Sequence, residues 1–337
     1  MGTFVDRMER HQVALYLVAL LVGGLAGTVF PGAGEGLGAA VNPVLALLLY
    51  ATFLGIPLRG AFSTLRDGSF LATVGVVNFV AVPVVVWLVT RPVAEDRVLL
   101  VGALFVLLAP CIDYVIVFTG LAGGAADRLL AAAPLLMLVQ MVLLPVFLWA
   151  FLGSEVVADF DVAPFIEAFV VLILLPLCSA ALTQAVPGRA GGLARSVVGG
   201  TMVPLMMLTL AVVVASQIAD VNRQWSSLVR VVPVYVLFAV VMTAVGLVAG
   251  RVAGRVAGTG VPAQRAVVFT GVTRNSLVVL PLVLALPGGY ALAPLVVVNQ
   301  TLVELLVMVV LVRVVPLLLP TGPGPQVVTG AGRPGRS

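Results

Sequence analysis

Two stretches of this chain place chemically active side chains inside long apolar runs. The first is LAPCIDYVIVFTGLAGG, Leu108 to Gly124, with Pro110, the thiol of Cys111 and the carboxylate of Asp113. The second is FTGVTRNSLVVLPL, Phe269 to Leu282, with Thr270, Gly271, Thr273, Arg274, Asn275, Ser276 and Pro281. A further acid, Glu304, lies in a later apolar run beside Asn299 and Gln300. A charge at membrane depth costs about 3 kcal/mol or more, so it faces a cavity or a partner and marks a solute or ion pathway. Proline removes a helix donor and clashes with the preceding turn, so these stretches read as interrupted helices. A thiolate at Cys111 is a soft ligand for a thiophilic centre. Asp113 and Glu304 are candidate proton carriers, and Arg274 is a fixed cation. Thr270, Thr273 and Asn275 supply side-chain donors and acceptors beside an unwound segment, whose freed carbonyls attract cations and whose freed N–H groups attract anions. A plainer alternative makes Asp113–Arg274 a structural ion pair in lipid and Cys111 a small apolar packing group. Asn78, Asn299 and Gln300 read mainly as helix-packing groups, and Cys178 as core.

Enzyme chemistry finds no support. The single histidine, His11, stands at the edge of the first apolar run, so no Cys–His pair or His-containing metal cluster can form among the apolar runs. HExxH, GxSxG and phosphate-loop motifs are absent, and no cofactor is expected. No repeated filter or pore ring suggests a channel. The pI of 9.6 reflects a net charge of only +4, carried by arginines scattered between apolar runs. These read as topology signals and not as a nucleic-acid surface. Cys111 and Cys178 both lie in apolar runs and imply no disulfide framework.

The elements that must position these groups are membrane helices. Of 337 residues, 61% are hydrophobic and 9% charged, against about 25% charged in a soluble domain, and mean hydropathy is +1.22. A span needs about 20 apolar residues, which places ten helices near 12–30, 38–58, 69–90, 98–121, 130–152, 164–186, 194–218, 229–250, 262–286 and 290–316. All 18 basic residues are arginine. With the N-terminus inside, 13 fall in inner segments and four (Arg91, Arg97, Arg223, Arg230) in outer loops, with Arg274 within a span. This puts both termini in the cytoplasm of a plasma-membrane protein. Five spans repeated once must be inverted, giving repeats at about 12–152 and 164–316. An offset of about 160 sets Pro43 near Pro204, Cys111 on Gly271 and Gln140 on Gln300. Spans 4 and 9, the interrupted pair, become equivalent and meet at mid-membrane as a transport site. A single all-α transporter domain is expected over 1–319, with a disordered Gly-, Pro- and Arg-rich tail over 320–337.

APCIDYVIVFTGLAGG resembles the fourth-span motif of the arsenite efflux permeases of the yeast arsenical-resistance type, whose APC segment carries an essential cysteine that maps onto Cys111. FTGVTRNSLVVL resembles their ninth-span motif FTAASNNFELAI, mapping an asparagine onto Asn275. LVELLV resembles their tenth-span LVEVPV, mapping a glutamate onto Glu304. Span count, topology and broken helices resemble the wider superfamily that includes the bile acid:sodium symporters. The departures are specific. The arsenite family's ninth-span glutamate falls on Leu277, one of its paired asparagines on Arg274, and a small residue on Asp113. In the sodium-coupled branch, the carboxylate and glutamine that hold the ion fall on Thr270 and Arg274. A permanently charged guanidinium repels sodium at close range.

The resemblance implies a secondary transporter that exports trivalent arsenic or antimony against protons, with Cys111 contacting the metalloid and Asp113 or Glu304 carrying the proton. A carrier of an organic anion with Arg274 as counter-charge is the alternative. A non-transporting sensor or scaffold is the second. The expected partners are a small solute, the lipid bilayer and the proton, with no nucleic acid. Oligomeric state is left open.

Overall fold

A computed structural model describes residues 11–30, 34–55, 67–112, 114–158, 170–223 and 225–320, together with Met8 and Glu167. Every regular element among them is helical. We number the helices α1 (Gln12–Val29), α2 (Gly34–Gly55), α3 (Gly68–Val89), α4 (Arg97–Leu107), α5 (Tyr114–Leu121), α6 (Ala126–Ala158), α7 (Leu175–Ala185), α8 (Gly188–Arg223), α9 (Trp225–Ala257), α10 (Val261–Val272), α11 (Ser276–Leu284) and α12 (Ala293–Leu318). Where its residues are described, each apolar run read from the sequence is helical, as one helix or a pair of helices. Four helical stretches, Gly68–Val89, Leu135–Gly153, Trp225–Ala257 and Gly288–Leu318, are long and apolar enough to cross a membrane. The expected tail beyond Pro320 and the carboxylate of Asp113 lie outside the described residues.

Local sequence sets the element ends. Asp67 accepts from Phe70 N–H at 3.3 Å and starts α3, and Asp96 accepts from Leu99 N–H at 3.3 Å and starts α4. Each cap satisfies a donor that has no intrahelical partner. Inside α3 a π turn, Val77–Ala81, precedes Pro83, and a second π turn, Val170–Leu174, precedes Pro176. A proline ring cannot sit against the carbonyl four residues back, and widening the turn relieves that clash. The first of these turns carries Asn78, which reaches the candidate site. Gly153, at φ 79°, kinks α6 near its end.

Two groups of helices pack side by side. In one, α8 lies along α1 and α2, and α7 packs on α2. In the other, α9 packs on α10 and α3, α12 packs on α4, α9 and α11, and α5 packs on α6 and α10. The second group is tied tightly. A Cβ on Gly102 would come within 2.8 Å of Val296, and one on Gly246 within 2.8 Å of Val268, so α4–α12 and α9–α10 approach as closely as backbones allow. Tyr235 donates to the Val296 carbonyl at 2.8 Å and Asn299 to the Leu228 carbonyl at 3.0 Å, adding polar ties between α9 and α12.

Candidate functional site

The two interrupted stretches meet. α4 stops at Leu107, Pro110 prevents its continuation, and α5 starts at Tyr114. α10 stops at Val272, Thr273 turns extended (φ −76°, ψ 134°), and Asn275 opens α11 by accepting from Val278 N–H at 3.2 Å. In the gap Cys111 N–H donates to the Thr273 carbonyl at 3.3 Å, and Asn275 N–H donates to the Ala109 carbonyl at 2.8 Å. Pro110 and Arg274 face each other as an isolated antiparallel bridge. Breaking a helix in an apolar interior strands backbone groups, each costly unless paired. Here each break supplies partners for the other, so neither is stable in this form without its mate.

Arg274 is the largest fully buried side chain among the described residues. Its Nη2 donates to the Thr270 carbonyl at 2.6 Å, the Gly271 carbonyl at 2.9 Å and Asn78 Oδ1 at 2.9 Å, and Nη1 donates to the Leu107 carbonyl at 3.4 Å. The guanidinium carbon also lies 5.5 Å from the Phe238 ring centroid. All four acceptors are neutral oxygens. Three are carbonyls beside helix breaks, and the fourth is held by the π turn of α3. Asn78 is fixed in turn by donating to the Val74 carbonyl at 3.0 Å and to Thr270 Oγ1 at 3.2 Å. A cage of neutral oxygens around a positive charge is what a protein offers a bare monovalent cation. In this chain a tethered side chain occupies it.

Glu304 of α12 reaches the same crossing. Its Oε2 accepts from Arg274 N–H at 2.8 Å and from Gln300 Nε2, and its Oε1 lies 2.6 Å from the hydroxyl of Tyr114. That hydroxyl is also 2.9 Å from the Arg274 carbonyl. The acid therefore engages the Arg274 backbone and not its guanidinium. Among the described residues, Arg274 Nε, Asn275 Nδ2 and Gln300 Oε1 are buried polar atoms without a hydrogen-bond partner. Most buried polar groups are paired, so this leftover capacity beside the crossing marks a place where a ligand or water can bind.

The crossing collects most of the residues that the sequence singled out. Cys111, Thr270, Thr273, Arg274 and Asn275 are buried in or beside it, with Glu304, Gln300 and Asn78 against it. Thr273 turns its hydroxyl back on the Phe269 carbonyl. Asn299 faces α9 instead, where it donates to the Leu228 carbonyl. Asp113 lies outside the described residues, so its pairing with Arg274 stays an expectation. Cys178 corrects an expectation, being exposed and not core. α7 packs on α2, and its exposed surface carries apolar side chains such as Leu175 and Leu182, beside which a thiol sits as readily as in a core. Sequence reasoning missed Tyr114. Its signal was a phenol inside an apolar run, which must find a hydrogen-bond partner when buried. It also read Arg265 only as an inner-loop charge. Arg265 is buried and donates to the Ala122 carbonyl at 2.8 Å and the Leu319 carbonyl at 2.8 and 3.1 Å, joining the end of α5 to the end of α12.

A groove of about 590 Å³ runs between the two helix groups, lined by Leu21 and Leu25 of α1, Val214 of α8, Trp225 and Val229 of α9, and Asn299 of α12, among others. Its walls are almost wholly apolar.

Apolar helices of membrane length mark a multi-pass membrane protein, and two broken helices crossing around buried polar groups are the arrangement of a transporter's binding site. Residues 42–224 match the model of the sodium bile acid symporter family. The match covers more than half of the chain, which belongs to that family. No curated protein matches the chain.

Proposed function

We propose that the chain is a secondary transporter that works without sodium, exchanging protons for trivalent arsenic or antimony. The observation that supports this best is the guanidinium of Arg274 in its cage of neutral oxygens. A permanent cation held there excludes a second one by repulsion, which is stronger in a dry interior than in water. With the cation built in, coupling falls to an acid that can change its charge. Glu304 is that acid in this reading, because it touches the crossing directly. Asp113, three residues after Pro110, is proposed as a countercharge that frees Arg274 when protonated.

The solute assignment rests on Cys111. Its thiol is buried at the crossing, one residue from the Pro110–Arg274 bridge. A thiolate is a soft ligand suited to trivalent arsenic, and the unpaired Asn275 Nδ2 offers a donor to a hydroxyl of the same solute. We further propose ten spans in two inverted halves, about 12–152 and 164–316, within one transport domain over 1–319. Both termini face the cytoplasm of the plasma membrane. Arsenite flux in proteoliposomes under an imposed pH gradient tests the reading. Wild-type flux and its loss in Cys111→Ser are the expected results. Undiminished flux in Cys111→Ser removes the thiol from the mechanism, and no flux of any solute favours a sensor or scaffold.

A second reading is favoured by the apolar groove of about 590 Å³. Its size and lining suit an amphipathic organic anion, with Arg274 as counter-charge. This reading expects organic-anion flux that arsenite does not inhibit and that is abolished in Arg274→Gln.

A further inference from the structure

The hydrogen bonds around Tyr114 carry an inference about how a proton is registered at the crossing. It rests on the reading that Glu304 is the proton carrier, and it names a residue and a switch that the reading does not contain. The phenol of Tyr114 has one proton and lies within hydrogen-bond distance of two oxygens, the Arg274 carbonyl at 2.9 Å and Glu304 Oε1 at 2.6 Å. A carbonyl can only accept. Glu304 Oε2 is already taken by two N–H donors, from Arg274 and Gln300, which leaves Oε1 as the oxygen able to hold a proton. With Glu304 neutral, every group has one role: Oε1–H donates to Tyr114, and Tyr114 donates to the Arg274 carbonyl. With Glu304 ionised, the single phenol proton faces two acceptors. The carboxylate is the stronger of them, since hydrogen bonds to a charged acceptor are roughly twice as strong.

We propose that Tyr114 is a positioning residue that reports the protonation of Glu304 to the backbone of the crossing. When Glu304 releases its proton, the Tyr114 hydroxyl turns to Oε1 and the Arg274 carbonyl loses its donor. When a proton returns to Oε1, the hydroxyl turns back and the carbonyl is tied again. One proton enters or leaves, no covalent bond other than O–H changes, and the phenol keeps its own proton throughout. The freed carbonyl belongs to Arg274, which lies between Thr273 and Asn275, the two residues whose backbone groups bond the broken helices together, so the switch acts beside that contact. A cavity of about 10 Å³ bounded by Leu107, Tyr235, Phe238, Gln300 and Glu304 has room for about one water beside the acid. Among the described residues, the titratable or charged groups that face Glu304 are Tyr114 of α5 and Arg274 of the crossing, with Tyr235 of α9 across the small cavity, Cys111 next to the Pro110–Arg274 bridge and Asp113 adjacent to Tyr114 in sequence.

Three samples separate this switch from the reading beneath it. Purified wild-type protein, Glu304→Gln and Tyr114→Phe are reconstituted, and solute flux and proton movement are followed against pH. Glu304→Gln should abolish coupled proton movement, and if it does not, the acid reading itself falls. Tyr114→Phe should move the midpoint of the pH profile by about one unit, as expected when a carboxylate loses one hydrogen bond. An unshifted profile in Tyr114→Phe, with coupling lost in Glu304→Gln, overturns the switch and leaves the acid reading in place. Should Tyr114→Phe fail to fold, infrared difference spectra of wild-type protein with ring-labelled tyrosine decide the matter. The carboxyl band missing from Glu304→Gln and a tyrosine C–O band should change with one midpoint. A carboxyl titration with no tyrosine response contradicts the proposal.

Discussion

That no carboxylate among the described residues sits on the guanidinium donors of Arg274 is the least expected residue-scale feature. Arg274 gives its described hydrogen bonds to neutral oxygens, and each bond to a charged donor is worth about 1.5–3 kcal/mol. Arg274→Ala removes the donor from all four acceptors at once. Its thermal unfolding in detergent should show a loss of about 3 kcal/mol or more relative to wild type, and a loss below about 1 kcal/mol would mean the cage contributes little. Arg274→Lys should recover only part of that stability. A lysine ammonium has three donors and no planar fork with which to reach oxygens on separate sides. Asn78, which bridges Arg274 to Thr270, is the side chain whose truncation should resemble Arg274→Ala most closely.

At the scale of elements, the crossing exists because two broken helices complete each other. Asn275 caps α11 through Val278 N–H, and Asn275→Ala should cost about 1 kcal/mol, the usual loss for an N-cap, read from the same unfolding curves. Gly102 lets α4 lie against Val296 of α12, where an added Cβ would sit at 2.8 Å. Gly102→Ala should cost about 1–3 kcal/mol through overpacking, and lower flux because α12 carries Glu304. An unchanged melting temperature would show that the contact yields easily. The breaks themselves were legible in the sequence. Pro110 and a run of polar residues at 273–276 interrupt otherwise apolar segments, and both interruptions fall inside the two stretches read as broken, Leu108–Gly124 and Phe269–Leu282. The partners of Arg274 were not legible. Acids and amides can be read from a sequence, whereas a carbonyl becomes available only once a helix has broken and the chain has crossed another. The π turn that aims Asn78 is equally hidden, because Pro83 signals a disturbance and not its direction. Tyr114 stood in the named stretch, yet nothing in its own neighbourhood announced a glutamate 190 residues away.

Across the whole molecule, one group of helices holds the crossing and the other lies beside it along an apolar groove. Arg265 secures the first group at one end by tying the close of α5 to the close of α12 through backbone carbonyls. The carbonyls at a helix C-terminus carry partial negative charge, so a buried arginine there is matched without an acid. Arg265→Gln should raise the rate of limited proteolysis near residues 122–126 while leaving the helical content seen by circular dichroism unchanged. An unaltered cleavage rate would show that packing alone holds that end. Two ion pairs, Arg128–Asp67 at 2.9 Å and Arg230–Asp96 at 3.4 Å, are solvent-accessible and contribute little. Stability at this scale rests on close helix packing and on backbone groups satisfied at the crossing.

The central claim is that a side chain holds the cation position of the crossing, so transport needs no sodium. Solute flux into proteoliposomes is measured at one fixed pH gradient, first with sodium replaced throughout by choline and then across rising sodium concentrations. The account predicts full flux in choline and no increase as sodium is added. Flux that is absent in choline and saturates with sodium would contradict it.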